Sequence, residues 1–158
     1  MHQSSIRVYV HFVWATWDRL PLLGAEVAPE LYRHIELLCR RMECDVLAVG
    51  GMPDHVHLLV AMGPRASTSD LMEAVKGASS RFATDSLLPG RWFQWQRGYG
   101  AHSVCPSHRR RVQMYIERQQ QHHSGGTVWA AAERCSEESI GGAVQESRGC
   151  PSGKVTSG

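Results

Sequence analysis

Long apolar runs, paired cysteines and a decisive net charge are all missing from this sequence. No stretch approaches the roughly 18 uninterrupted apolar residues of a membrane-crossing helix, and the N-terminus carries neither the basic nor the apolar region of a signal peptide. A cytoplasmic protein is therefore expected. The five cysteines, Cys39, Cys44, Cys105, Cys135 and Cys150, are odd in number and scattered, without a CxxC pair. That argues against both a disulfide framework and a zinc knuckle and leaves reduced thiols. Seventeen basic residues against fifteen acidic ones leave a formal charge of only +2. Such a balance does not by itself identify a nucleic-acid partner; the clustering of the arginines has to decide. A length of 158 residues suits one compact domain and is too short for two ordinary ones. No internal repeat is visible.

Periodicity gives an order of elements. Residues 7–14 alternate, with Val8, Val10, Phe12 and Trp14 on one face and Arg7, Tyr9, His11 and Val13 on the other, as in a strand. Leu31, Ile35, Leu38 and Met42 recur at helical spacing after Pro29, predicting a helix over 29–43. Residues 45–49 and 55–62 read as two strands of a hairpin, turned by Gly50-Gly51-Met52-Pro53-Asp54. A second helix begins near Ser67, with Leu71, Val75, Ala78 and Phe82 as its buried stripe, and is broken by Pro89-Gly90. Residues 92–104 suggest a strand bent at Gly98 and Gly100. Ser107 can cap a third helix reaching about residue 123. Strand, helix, strand, strand, helix, strand, helix is the order of an α+β, ferredoxin-like (RRM-like) antiparallel sheet with helices on one face, followed by an added C-terminal helix. The domain is expected to span 1–124. Glycine and serine dominate 125–158, where a poorly ordered tail is expected.

Chemistry concentrates in two segments. In His55-Val56-His57 the alternation of a strand sends both imidazoles to one face, pre-aligning two possible ligands for a divalent ion. Nine histidines in the chain give about 0.5 such pairs by chance, so the pair alone also fits two ordinary half-buried histidines. On the third helix Tyr115 and Gln119 are four apart and share a face, with His122 one turn further. Tyr115 taken alone reads more readily as an amphipathic core tyrosine. Docked over the histidine pair, the helix would bring a phenol and an amide to a metal, a combination suited to phosphoryl transfer. Lys76, Arg81, Arg91, Arg97 and Arg109-Arg110-Arg111 are candidate phosphate contacts; Trp92, Trp95 and Tyr99 are candidate stacking surfaces for unpaired bases. A solvated basic face and aromatic core positions account for these residues as well.

Four ordered motifs then carry a resemblance: Tyr9-Val10-His11-Phe12-Val13-Trp14, Gly51-Met52-Pro53-Asp54-His55-Val56-His57-Leu58-Leu59, Lys76-Gly77-Ala78-Ser79-Ser80-Arg81-Phe82, and Tyr115-Ile116-Glu117-Arg118-Gln119 with His122-His123. Over about residues 6–124 the sequence resembles the single-tyrosine HUH transposases, the TnpA-like family of small bacterial insertion sequences. The resemblance implies His55, His57 and Gln119 as metal ligands, Tyr115 as the covalent nucleophile, and Mg2+ or Mn2+ as cofactor; helical spacing, not the resemblance, adds His122 as a candidate accessory imidazole. The resemblance also implies single-stranded DNA with hairpins at element ends as substrate, and a homodimer in which a tyrosine helix can complete its partner's site. The family contains domesticated, palindrome-associated relatives as well. Two readings of other classes compete: a non-catalytic RRM-like nucleic-acid-binding module, which needs no metal, and a metal-dependent hydrolase of small phosphate esters.

Overall fold

A computed structural model describes residues 5–119 of the chain. Its elements run β1 (Tyr9–Ala15), α1 (Ala28–Arg41), β2 (Asp45–Met52), β3 (His55–Ala61), α2 (Thr68–Phe82), β4 (Gly100–Val104) and α3 (Arg109–Glu117). The four strands form one sheet in the order β2-β3-β1-β4, with every neighbouring pair antiparallel. This is the ferredoxin-like α+β topology expected from the order of elements. None of the described helices is long and apolar enough to cross a membrane, and Cys39, Cys44 and Cys105 are free thiols.

The two faces of the sheet carry different cores. Val10, Phe12 and Trp14 of β1 and Val56, Leu58 and Val60 of β3 point to one side, where Leu31, Ile35 and Cys39 of α1 and Leu71, Met72 and Val75 of α2 cover them. The alternation of the strands places Leu59 on the opposite side, where it joins Ala48 of β2 and Val112, Tyr115 and Ile116 of α3. The two crossover helices thus share one face, and the added helix lies alone on the other.

Three departures from the periodicity have local causes. Gly50, Gly51 and Met52 belong to β2 rather than to the turn: Met52 pairs with His55, and Pro53-Asp54 alone reverse the chain. A bulge between Val46 and Ala48 adds one residue and switches the face of everything after it. Val46 therefore packs with the first core, whereas Ala48 joins the second. On α2 the buried stripe includes Met72 and Ser79, with Ala78 only half-buried, because the Ser79 hydroxyl accepts a 3.0 Å hydrogen bond from Trp95 Nε1. Trp95 also meets Trp14 edge-on, at 5.7 Å between centroids. Trp95 is thus a core residue and not a stacking platform, and Tyr99 packs on Phe12 at 6.1 Å; Trp92 remains exposed. Helix α2 is capped as expected, Ser67 Oγ accepting from Asp70 N–H at 3.1 Å. Ser107 does not cap α3: the N-cap residue is His108, without a side-chain bond.

Candidate active site

The α3 face of the sheet is where the chemistry-bearing residues meet. His55 and His57 alternate onto that face of β3, buried at 1% and 0% exposure, with ring centroids 5.0 Å apart and planes nearly perpendicular. Helix α3 crosses β2 and β3 with Val112 and Ile116 anchoring it in the apolar cluster. This lays the Tyr115 ring edge-on to His57, 5.9 Å between centroids and 88° between planes. Arg118 departs from helical geometry, but its N–H still bonds the Met114 carbonyl at 3.1 Å, so Gln119 stays about one turn beyond Tyr115. The Gln119 amide, 2% exposed, lies 3.4 Å from His55 Nε2 through its Nε2. A half-turn of the amide puts its carbonyl oxygen there instead.

Both imidazoles are held through Nδ1, so each directs Nε2 away from its holder. Asp54 Oδ1 lies 2.7 Å from His55 Nδ1, and the same carboxylate is bridged by Arg19 Nη1 at 3.1 Å. Hydrogen bonding to the His55 ring, ahead of the Arg19 contact, holds the Asp54 carboxyl down at about 2. Two successive residues with left-handed backbone, Asp18 and Arg19, both at φ 49°, turn the chain so that Arg19 reaches this carboxylate. His57 Nδ1 is 2.9 Å from His11 Nε2 on β1. Outer partners of this kind set the tautomer and plane of metal-binding histidines.

The sequence-predicted residues therefore divide. Tyr115, His55, His57 and Gln119 are brought together within one chain. Among the described residues no group of three or more His, Cys, Asp or Glu is arranged to hold a metal, so a three-ligand set here depends on the Gln119 amide. Lys76 points elsewhere: its Nζ donates to the carbonyls of Gln96, at 2.7 Å, and Gly98, clamping the loop before β4. Arg81, Arg97, Arg109, Arg110 and Arg111 are exposed, with the Arg109 guanidinium 5.6 Å from the centroid of the Tyr9 ring. His122 lies outside the described residues. Sequence reasoning passed over Asp54 and His11. Adjacency to His55 was the available signal for the first, and an imidazole on the inward face of a central strand the signal for the second.

A cleft of about 620 Å3 opens beside Gln119, between the start of α1 (Ala28, Pro29, Tyr32), the Gly50-Gly51 stretch of β2 and the end of α3. Burial pushes the Tyr32 phenol up to about 12.

Comparison with known proteins bears on the family and the fold. Residues 4–119 match the family model for IS200-like transposases. The chain is 32% identical over 114 residues to the ISDra2 transposase TnpA of Deinococcus radiodurans, covering 69% of this chain and 81% of that one. A transposase crystal structure from D. radiodurans R1 superposes with a TM-score of 0.59 at 31% identity, over 75% of this chain and 95% of the other. A REP-associated tyrosine transposase, solved bound to a REP hairpin, shares the fold at 17% identity and a TM-score of 0.57, over 81% of this chain and 74% of that one. Fold and sequence thus define a DNA-processing enzyme of the transposase class. Within that class, the chain belongs to the IS200-like transposase family.

Proposed function

We propose that this chain cuts and rejoins single-stranded DNA by metal-assisted transesterification, with Tyr115 as nucleophile and His55, His57 and Gln119 as the metal-holding set. The observation that carries the reading is the docking of α3 over β3, which brings the Tyr115 ring to 5.9 Å from that of His57 and the Gln119 amide to 3.4 Å from His55 Nε2. Two imidazole nitrogens and an amide oxygen form a mixed donor set. Imidazole favours transition ions and carbonyl oxygen the harder ones, so of the two ions expected, Mn2+ suits these residues better than Mg2+. Bound there, the ion would polarise the scissile phosphate and stabilise charge on its oxygens.

Tyr115 supplies the rest of the step. A phenol of ordinary pKa about 10 is a weak nucleophile near neutrality, and must lose its proton as its oxygen bonds to phosphorus. The bond from phosphorus to the 3′ oxygen breaks, the 3′ oxygen takes up a proton, and the 5′ phosphate stays on Tyr115. A 3′ hydroxyl attacking that ester reverses the sequence: it loses its proton, a new phosphodiester forms, and the phenol is regenerated. No external energy source is required, because the ester conserves the bond. Exposed Arg81, Arg97, Arg109, Arg110 and Arg111 would track the phosphates. A hairpin-bearing single strand is the substrate we propose, a reading supported by the tyrosine transposase of the same fold that was solved on a REP hairpin. We further propose a homodimer, in which Tyr115 need not be exchanged between copies because α3 already covers its own chain's histidine pair. Mobilisation of an insertion sequence is the element-level outcome.

The full chain incubated with Mn2+ or Mg2+ and a labelled single-stranded hairpin oligonucleotide should yield a denaturant-resistant protein–DNA adduct. Tyr115→Phe should abolish it, and an adduct of undiminished yield in that variant removes Tyr115 from the mechanism.

A further inference from the structure

His11 occupies a place where an aliphatic residue would pack at lower cost. It lies on the α3 face of β1, a central strand, between Tyr9 and Val13 on that face, and is 3% exposed. Burying a polar ring is unfavourable unless it is hydrogen-bonded. One contact of this kind runs 2.9 Å from His11 Nε2 to His57 Nδ1, with the two ring planes only 11° apart. A nitrogen–nitrogen contact that short between near-parallel rings whose centroids are 5.1 Å apart means the rings meet edge to edge, close to one plane. His102, directly across from His11 in the β1–β4 register, continues the row at 6.2 Å and 40°.

We propose that His11 is a positioning residue for the metal site: it fixes the tautomer and plane of His57, so that His57 Nε2 faces the ion. The inference rests on the metal role proposed above for the histidine pair. One proton is shared across the contact. If His57 ligates through Nε2, that nitrogen must be bare and Nδ1 must carry the proton, which it donates to His11 Nε2. His11 must then be the neutral tautomer with its proton on Nδ1. The two ligands are consequently held by different means, a carboxylate behind His55 and a neutral imidazole behind His57. The carboxylate can only accept; the imidazole accepts in one tautomer alone, so the plane and proton of His57 depend on it.

The test is Mn2+ affinity of the full-length chain, read from the free-ion electron paramagnetic resonance signal, alongside thermal unfolding. His57→Ala should remove binding at this site; if it binds Mn2+ as wild type does, the metal reading fails and this inference with it. With that control in hand, His11→Leu should weaken binding by about 10- to 100-fold, the usual effect of losing an outer partner. Should His11→Leu fail to fold, two amides decide. Gln can place an acceptor near the position of Nε2, whereas Asn is too short to reach His57. His11→Gln should therefore retain Mn2+ affinity close to wild type and His11→Asn should lose it. Equal affinity in the Gln and Asn variants, or a His11→Leu protein that melts earlier but binds Mn2+ normally, overturns the proposal while leaving the role of His57 intact.

Discussion

The backbone of Gly50 lies against the carbonyl of Ile116: a Cβ added to the glycine would sit 2.8 Å from that oxygen and 3.3 Å from Ile116 Cγ2. The obstacle is backbone, which cannot rotate away, so Gly50→Ala must push the end of α3 off the sheet. Gln119 and Tyr115 ride on that end. Overpacking of this kind costs about 1–3 kcal/mol, and the helix can relieve it only by moving the amide away from His55. Gly50→Ala is expected to lose at least about tenfold in adduct formation, in line with the sensitivity of catalysis to small misplacements. Gly77→Ala is the control: nothing lies within 4 Å of its added carbon, and on α2 it should gain up to about 1 kcal/mol. Wild-type adduct yield in Gly50→Ala would show that the packing of α3 on β2 does not set the site.

Lys76 tests the difference between a DNA contact and a structural clamp. With its ammonium on the carbonyls of Gln96 and Gly98, Lys76→Met should cost about 1–3 kcal/mol, the range for losing charged hydrogen bonds. The salt dependence of single-strand binding should not change. Arg110→Gln should behave in the opposite way, leaving stability nearly intact and lowering the salt slope by about one. A reduced slope in Lys76→Met would return that residue to the DNA surface.

Ser79→Ala strands the indole N–H of Trp95, which donates to the hydroxyl at 3.0 Å inside the first core. An unsatisfied buried donor costs about 1–3 kcal/mol. Chemical denaturation followed by tryptophan fluorescence should register that loss, with adduct yield per folded molecule unchanged. Unaltered stability would mean that the indole finds another acceptor.

Much of this architecture was legible because the periodicities are local. Alternation over residues 7–14 and the His-x-His strand fixed the faces of β1 and β3 in advance, and the i, i+4 spacing of Tyr115 and Gln119 predicted their common face. The side of the sheet taken by α3 was not legible, since order along the chain does not specify it; burial of Val112 and Ile116 against Leu59 and Ala48 does. The bulge at Val46/Ala48 escaped for a related reason. Strict alternation would have put Gly50 on the same face as Val46, and only the extra residue turns it toward Ile116. Residue type alone makes Trp95 and Lys76 candidates for nucleic-acid contact and for core or surface positions alike, because their partners, Ser79 and two loop carbonyls, are distant in sequence.

Tyr32 and Cys39 on α1 provide a pH test that does not involve the histidine pair. Burial raises both, the Tyr32 phenol to about 12 from 10.0 and the Cys39 thiol to about 12 from 9.0, with the neighbouring Cys44 adding to the latter. In each case the folded chain keeps a proton that the unfolded chain gives up. The stability associated with the neutral groups is therefore complete below pH 9, declines as the unfolded chain ionises, and stops declining once the folded groups ionise near 12. Each group can contribute a slope of up to about 1.4 kcal/mol per pH unit within its window. Lysine cannot account for a steep decline, because Lys76 and Lys154 are the chain's only two. Urea midpoints measured from pH 8 to 11 under reducing conditions should fall from about pH 9 as Cys39 begins to contribute, and more steeply above about 10 when Tyr32 joins it. Tyr32→Phe should flatten the upper part and leave the lower part, since Phe has no proton to lose. Identical curves for Tyr32→Phe and wild type above pH 10 would mean that the Tyr32 phenol ionises as readily in the folded protein as in the unfolded chain.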